Sequence, residues 1–174
     1  QDYKEAVKWY RLSAEQGNLE AQYNLGVMYD EGKGVLQDSK EAIKWWKLAA
    51  KQGDTFAQKK LKENLGSVSN DEPNVAPDEF APLLNDALKE FIDPDFKEIL
   101  DSFSKGNYKK FCKLNMPLAE SGDQFSQWNI GNCYLKGRGV DQDYKKAFKW
   151  YRLSAEQGHK RAQHDLGVMY DKGE

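Results

Sequence analysis

A pattern of small, aromatic and glycine residues repeats along this 174-residue chain with a period of 36. Residues 1–17 align with residues 37–53 at that offset, and a further copy occupies residues 122–158 before another begins at residue 159. Self-similarity at a fixed period of roughly 20 to 50 residues is typical of solenoids, whose units pack mainly on their neighbours. The sequence therefore predicts a stack of similar units.

Each repeat contains two segments with helical periodicity, called helix A and helix B here. Residues 18–30 have the pattern of a helix A, and residues 2–16 have that of a helix B. Asp2 followed by Glu5 resembles a capping box at the start of a helix, and Asp38 with Glu41 repeats that signal. Gly26 lies inside a helix A, where glycine is unfavourable, so we expect it to allow close approach of another helix.

The repeated positions hold alanine, leucine, glycine and aromatic residues in a fixed order around a loop that contains two glycines. They are Ala21, Leu25-Gly26, Tyr29, Gly32-x-Gly34-Val35-x-Gln37-Asp38, Ala42, Trp45-Trp46, Ala49-Ala50 and Gly53. This pattern resembles the Sel1-like repeat, a 36-residue relative of the tetratricopeptide repeat. The resemblance covers residues 1–65 and about 94–174. It implies an all-α fold, an α/α superhelical solenoid of antiparallel helix pairs.

Three regions are predicted from these patterns. Residues 1–66 read as the end of a first array with a decaying cap helix, because the copy after Gly53 loses its aromatic residue. Residues 67–93 read as an acidic linker followed by an amphipathic helix. Residues 94–174 read as the start of a second array that breaks off within a repeat.

The first and last residues fall inside repeats, and only three repeat positions separate Glu174 from Gln1. Each half-repeat is expected to expose an apolar face that lacks its partner. One hypothesis is therefore head-to-tail self-association, with Leu166 and Tyr170 of one chain against the helix of residues 1–16 of another, and the alternative is that the half-repeats result from truncation of a longer chain.

Composition favours a protein or peptide partner over nucleic acid, because the formal net charge is only −2. No apolar run approaches the length of about 20 residues that crosses a bilayer, so no membrane insertion is expected. The first residues do not resemble a signal peptide. No compartment is predicted from the sequence.

Motifs of catalysis and metal binding give no coherent site. Ser102 and Lys105 match Ser-x-x-Lys, but the companion motifs of penicillin-recognising enzymes are absent. His159 and His164 lie about 140° apart on a helix and are expected at the surface, which predicts no metal site. We expect no cofactor and no catalytic residue.

The two cysteines, Cys112 and Cys133, align with apolar positions of other copies. They are therefore expected to be buried thiols, although pairing stays open. Some cysteine-rich Sel1-like proteins are associated with β-lactam binding, so the resemblance implies a β-lactam-binding or hydrolysing enzyme as the alternative function. Their paired cysteines are not present in every repeat of this chain.

A non-catalytic binding scaffold or adaptor for a protein or peptide is the function that the sequence favours. Helix A positions that point away from the core would face a concave groove, and aromatic residues there are common binding anchors. The alternative for these positions is packing between adjacent A helices. The aromatic residues of the B helices are expected in the core instead. The candidate binding residues are Tyr23, Val27, Asp30, Lys59, Trp128, Asn132, His164 and Val168.

Overall fold

A computed structural model describes residues 1–65 and 94–173 of the chain. These residues form nine α-helices and no strands. The predicted linker and amphipathic helix of residues 67–93 lie outside the described residues. The helices are α1 (Tyr3–Glu15), α2 (Leu19–Glu31), α3 (Ser39–Lys51), α4 (Thr55–Leu65), α5 (Pro94–Ser104), α6 (Tyr108–Glu120), α7 (Gln124–Lys136), α8 (Tyr144–Glu156) and α9 (Lys160–Lys172).

The predicted capping residues start the helices where the sequence indicated. The Asp2 side chain accepts a hydrogen bond from the Glu5 amide, and the Asp38 side chain accepts from the amides of Lys40 and Glu41. Such caps satisfy amide donors that have no partner within the helix. Gly32 ends α2 in the left-handed conformation, at φ 67°, which glycine adopts without a Cβ clash.

The described residues form two compact units. Unit 1 contains residues 1–65 and 163–173, and unit 2 contains residues 94–162, so the division falls inside α9. In unit 1, α2 and α3 form a complete repeat of helix A and helix B; in unit 2, α7 and α8 do the same. Residues 163–173, predicted to belong to the second array, lie in unit 1.

The cores of both units are built from the repeated positions. In unit 1, buried Val7, Tyr10, Leu25 and Met28 belong to one hydrophobic cluster, and Val35 of the loop packs against it. In unit 2, Ile130 and Tyr151 are fully buried. The prediction that the aromatic residues of the B helices are packing residues is confirmed for Trp9, Tyr10, Trp45, Trp46 and Tyr151, all of which are buried.

The glycines inside α2 and α7 permit close packing against helix B of the same repeat, as predicted for Gly26. A methyl group at Gly131 would lie 2.5 Å from Cδ1 of Tyr151, and one at Gly26 would collide with the Trp46 ring. The helices thus approach more closely than any side chain on the glycine would allow. The cost of a helical glycine is about 1 kcal/mol relative to alanine, and it is offset by burial of the facing ring.

The prediction that Cys112 and Cys133 are thiols is wrong. Their sulfur atoms form a disulfide that joins α6 to α7 in unit 2, with Cα atoms 6.4 Å apart. Both residues are buried, as expected. Their counterparts Val7 and Met28 lie in one cluster of unit 1, which explains why two cysteines at these positions can meet.

The surface position predicted for His159 is also wrong, because only 8% of its area is exposed. Its Nδ1 accepts a hydrogen bond from the Ala162 amide at 3.2 Å, as a capping residue does at the start of a helix. Its counterparts Asn18, Asp54 and Asp123 each accept from an amide three residues later. His159 therefore has a structural role.

The half-repeat at residues 1–16 is covered within the same chain. Residues 163–172 of α9 supply the helix A that precedes α1, and Tyr10 and Leu166 are at most 1% exposed. The expected exposed apolar face is thus absent from the described part of unit 1. We call α9 and α1 together the composite repeat.

Candidate functional site on the A helices

Three A helices contribute to the candidate surface of unit 1: residues 163–172 of α9, then α2, then α4. We define the unit 1 A-face by the predicted residues on these helices together with one further aromatic residue. Its members are His164, Val168, Tyr23, Val27, Asp30, Phe56 and Lys59. Neighbouring A helices are linked here by the contact of Tyr23 with Phe56 and by that of His164 with Asn24.

Tyr23 belongs to α2, contacts α4 through its ring, and is half-buried. Its ring centroid is 6.1 Å from that of Phe56, with a tilt of 52°, and its backbone carbonyl accepts a hydrogen bond from Trp46 Nε1 at 3.3 Å. Phe56 is 68% exposed, which is unusual for so large an apolar side chain. The pair therefore combines a packed ring with one that is open to a partner.

Charged groups border this aromatic pair. Asp30 is half-buried, and its carboxylate lies 3.9 Å from Nζ of Lys60, which also lies over the Trp46 ring. Lys59 is exposed over 77% of its side chain and pairs loosely with Glu63 at 4.0 Å. Exposed pairs of this kind contribute roughly 0 to 1 kcal/mol, so Lys59 can exchange Glu63 for an acidic group on a partner at little cost.

His164 connects α9 to α2 through polar contacts. Nδ2 of Asn24 lies 3.3 Å from its Nε2, and Oδ1 of Asp165 lies 3.0 Å from its Nδ1. The Tyr10 ring is 6.0 Å away. Val168, one turn later, packs against the hydrophobic cluster of α1 and α2. Both residues remain half-buried, so part of each is accessible.

In unit 2 the predicted residues are Trp128 and Asn132 on α7. The Trp128 ring lies 5.5 Å from the His159 ring and 5.5 Å from the guanidinium carbon of Arg161. Asn132 donates a hydrogen bond to the Trp128 carbonyl at 3.1 Å, and Phe125 beside them is 59% exposed. This cluster repeats the combination of a half-buried ring and an exposed phenylalanine, since Phe125 and Phe56 are equivalent repeat positions.

Tyr23, Trp128 and His164 each touch a neighbouring A helix or its cap. These contacts are expected if the three residues pack between adjacent A helices. The three side chains are only half-buried, so part of each is also accessible to a partner. In unit 1 the Tyr23 ring contacts Phe56 of α4 and His164 contacts Asn24 of α2, whereas Trp128 and Asn132 lie in unit 2.

Tyr10 lies beneath the α9 part of the A-face. Burial, and then the carboxylates of Asp171 and Asp165, raise the pKa of its phenol well above the usual value. A phenolate would be both desolvated and close to negative charge, so the neutral form is strongly favoured in the folded chain.

Ser102, the serine of the Ser-x-x-Lys match, is 3% exposed, and its hydroxyl donates to the Ile99 carbonyl at 2.7 Å. Lys105 pairs with Asp101 at 2.9 Å. A nucleophilic serine needs a base within hydrogen-bonding distance. The contacts of Ser102 are instead those of a serine that bonds its own helix.

A ladder of glutamines was not identified from the sequence. Gln22 Nε2 donates to the carbonyl of Ala14 at 3.1 Å, and Gln22 Oε1 accepts from Gln52 at 2.8 Å. Gln127 makes the same two contacts, with Ala119 at 3.2 Å and Gln157 at 2.7 Å. Each buried glutamine thus joins two successive B helices. The signal was present, since glutamine recurs at these repeat positions.

Two further kinds of site are absent from the described ranges 1–65 and 94–173. No group of three or more histidine, cysteine or acidic side chains there could hold a metal ion. No helix in these ranges is both long enough and apolar enough to cross a membrane.

Repeated helix pairs, a half-exposed A-face and buried contacts between repeats define a helical-repeat protein of the solenoid class. The sequence profile of the Sel1 repeat matches residues 1–18, 19–54, 124–159 and 160–174, and the chain belongs to the Sel1 repeat family. Members of this family are generally non-catalytic protein-interaction scaffolds.

Relatives match the chain over nearly its whole length. It is 34% identical over 177 residues to DAP3-binding cell death enhancer 1 of Rattus norvegicus and 33% identical to the protein of that name in Mus musculus. Each alignment covers 98% of this chain and 34% of the relative. The chain thus spans about a third of the length of these curated relatives.

Among solved structures, the chain is similar to c5321, a protective antigen present in uropathogenic Escherichia coli strains that displays an SLR fold. The identity is 29% and the TM-score 0.42, over 99% of this chain and 38% of that chain.

Proposed function

We propose that the chain is a non-catalytic scaffold that binds a protein or peptide through its A-face. The observation that carries the proposal is the contact of half-buried Tyr23 with Phe56, whose side chain is 68% exposed. A partly supported aromatic pair offers a large apolar area with little loss of conformational freedom on binding.

The charges around the pair favour a partner with both apolar and charged groups. Lys59 lies one turn from Phe56 on α4, and Asp30 lies on the adjacent helix α2. A peptide that places an apolar side chain against Phe56 would bring a neighbouring acidic group within reach of Lys59. Electrostatic complementarity of this kind contributes mainly to specificity and association rate.

The relatives support a protein as the partner. The name of the rat protein describes it as binding another protein, DAP3, and this chain is similar to a third of its length. We propose the same class of ligand for this chain, without transferring the identity of the partner.

No observation favours the β-lactam alternative. Ser102 is buried and bonded to its own helix, and the only cysteine pair of the chain joins α6 to α7. The paired cysteines of the cysteine-rich proteins are therefore not reproduced in each repeat.

The experiment is a peptide selection from a random displayed library against the folded chain, followed by calorimetric titration of the selected peptide. Tyr23→Ala, Trp128→Ala and His164→Ala are compared with the unchanged chain for affinity and for melting temperature. The proposal expects a loss of affinity that is larger than any loss of stability explains. A large fall in melting temperature with unchanged affinity below the transition would assign these residues to packing alone.

A further inference from the structure

Neighbouring A helices meet through the same pair of repeat positions in each unit. In unit 1 the Tyr23 ring of α2 contacts Phe56 of α4. In unit 2 the Trp128 ring of α7 lies 5.5 Å from the guanidinium carbon of Arg161, in the first turn of α9, the helix A of the composite repeat. Arg161 follows Trp128 at the separation at which Phe56 follows Tyr23. The contact is repeated, but a cation takes the place of the exposed ring.

The start of α9 adds positive charge around Arg161 and supplies no acidic cap. The caps of α4 and α7 are Asp54 and Asp123, so each of those helices begins with a carboxylate. The cap of α9 is His159 instead, and exposed Lys160 follows it. The Arg161 guanidinium therefore has no negatively charged capping side chain beside it, in contrast to the equivalent positions of the other two helices.

The Arg161 side chain is held in place and is open to a ligand. It is exposed, and among the residues that the structure describes no carboxylate pairs with its guanidinium. A guanidinium presents hydrogen-bond donors in a planar fork that matches the two oxygens of a carboxylate. Stacking on the Trp128 ring restricts the side chain before binding, so less conformational freedom is lost when a ligand arrives. The geometry suits an anionic group.

Exposed apolar surface adjoins this cation. Phe125 is 59% exposed, and its ring meets the edge of the His159 ring at 5.0 Å. The Trp128 ring lies 5.5 Å from the same imidazole. Phe125 and the Trp128–Arg161 pair thus border one histidine. We define the unit 2 cluster as Phe125, Trp128, His159 and Arg161.

We propose that the unit 2 cluster binds a peptide segment of a partner protein in which an acidic side chain adjoins an apolar one. The carboxylate accepts hydrogen bonds from the Arg161 guanidinium, and the apolar side chain covers Phe125. The proposal rests on the proposed function for its class of ligand. It goes further in assigning a second site, in unit 2, with a preference for acidic residues that Arg161 determines.

Charge complementarity decides the occupant. An arginine stacked on a ring, next to an exposed lysine and an exposed phenylalanine, fits a ligand with one carboxylate and one apolar group. Nucleic acid would need positive charge along a much longer surface to neutralise successive phosphates, and the formal net charge of the chain is −2. The observations therefore favour an acidic peptide.

The test uses the full chain with Phe56→Ala, so that the aromatic pair of unit 1 no longer contributes. Peptides are selected from a random displayed library, and the tightest one is titrated calorimetrically beside copies in which an amide replaces each acidic side chain in turn. We expect the selected peptides to be enriched in acidic residues next to apolar ones. Replacement of one acidic residue should weaken binding about tenfold, as expected for the loss of a charge-assisted hydrogen bond.

Arg161→Gln should weaken the acidic peptide by a similar factor. In that variant the acidic peptide and its amide copy should bind equally, because two groups in direct contact do not contribute additively. Arg138→Gln is the matched control: Arg138 lies 4.9 Å from the Tyr108 ring in the same unit, but in the loop between α7 and α8. It should leave affinity unchanged. Circular dichroism and melting temperature verify that each variant keeps its fold.

Arg161→Phe copies the residue at the equivalent position of α4, so selection against this variant should still enrich apolar residues but no longer acidic ones. The proposal is overturned if the Phe56→Ala chain selects no peptide or only peptides without acidic residues. It is also overturned if Arg161→Gln weakens the acidic peptide and its amide copy equally. Arg161-dependent binding of a single-stranded oligonucleotide, with no peptide bound, would overturn it as well. Titration of peptides selected by the unchanged chain into the Phe56→Ala variant tests the unit 1 site separately.

Discussion

Cys112 and Cys133 form a disulfide where the first repeat of unit 1 packs Val7 near Met28. The bond replaces an apolar contact between a helix B and the following helix A by a covalent one. It fixes α6 to α7 in unit 2 while leaving the apolar character of the position unchanged.

Reduction of this disulfide is expected to lower the free energy of unfolding of unit 2. A bond that closes a loop of 21 residues stabilises by about 3 kcal/mol in the chain-entropy description. Urea unfolding with and without a reductant measures the effect. The double variant Cys112→Val/Cys133→Met, which copies residues 7 and 28, should be insensitive to reductant and should keep its packing. An unchanged urea midpoint of the original chain on reduction would contradict the assignment.

Gly131→Ala is expected to destabilise unit 2 even though alanine is the better helix former. Helix propensity alone predicts a gain of about 1 kcal/mol, while overpacking against the Tyr151 ring costs about 1 to 3 kcal/mol. Thermal unfolding measures which effect is larger. Adding Tyr151→Leu removes the ring and should make the double variant more stable than the sum of the two single effects. A stabilised Gly131→Ala variant would contradict the close approach seen at this glycine.

Gln127→Leu is expected to lower stability by about 1 to 2 kcal/mol, because it removes the hydrogen bonds to Ala119 and Gln157 from a buried position. Gln58 is the equivalent residue in the cap helix α4, where it is exposed and lies 3.5 Å from the Ala50 carbonyl. Gln58→Leu should therefore change stability by no more than about 0.5 kcal/mol. Equal effects in chemical unfolding would show that the ladder does not stabilise the stack.

The stability of the chain is expected to fall as pH rises above about 10, the usual pKa of tyrosine. Burial, Asp171 and Asp165 raise the pKa of Tyr10 in the folded chain, so the unfolded chain ionises first. The contribution of this residue is fully present below that pH and is lost as pH rises toward the folded pKa. Tyr10→Phe lacks the ionisable hydroxyl and should show a weaker alkaline decline. Tyr144→Phe, at an exposed position, should follow the unchanged chain.

Local signals were sufficient for most of the described helices. Asp2 and Asp38 start α1 and α3 as capping residues, because a carboxylate before an apolar helical pattern satisfies free amides whatever the surrounding fold. Gly26 was recognised as a site of close approach because its helix propensity is poor and its position is repeated. These features depend on neighbours a few residues away.

Features that depend on contacts between distant helices were harder to predict from the sequence. The alignment of Cys112 and Cys133 with apolar residues predicted burial, but it gave no distance between their sulfur atoms. The half-repeat at residues 1–16 was expected to be exposed, but α9 covers it. This contact joins residues 147 positions apart, such as Gln16 and Gln163, and no local pattern indicates it. Periodicity indicates that each helix B packs against a helix A, but it does not indicate which part of the chain supplies that helix A.

His159 shows that repeat alignment carried more information than residue type. Histidine suggested a surface residue, yet its counterparts Asn18, Asp54 and Asp123 are capping residues, and His159 fills that role through Nδ1.

The A-face was predicted from helical phase alone, which gives the direction of a side chain but not its exposed area. Phe56 was missed although Phe125 repeats it, because the counterparts in α2 and α9 are Glu20 and Arg161 and the position is therefore not apolar in every copy.

Calorimetric titration of a library-selected peptide into matched charge-reversal variants tests the central claim most directly. Lys59→Glu changes the A-face on α4, and Lys47→Glu makes the same change at an exposed position of helix B, α3. Phe56→Ala and Leu48→Ala form a second matched pair of exposed apolar residues. We expect Lys59→Glu and Phe56→Ala to weaken binding about tenfold, which corresponds to about 1.4 kcal/mol. Lys47→Glu and Leu48→Ala should leave affinity unchanged. Binding that survives both A-face changes and is lost with the α3 variants would contradict the proposed site.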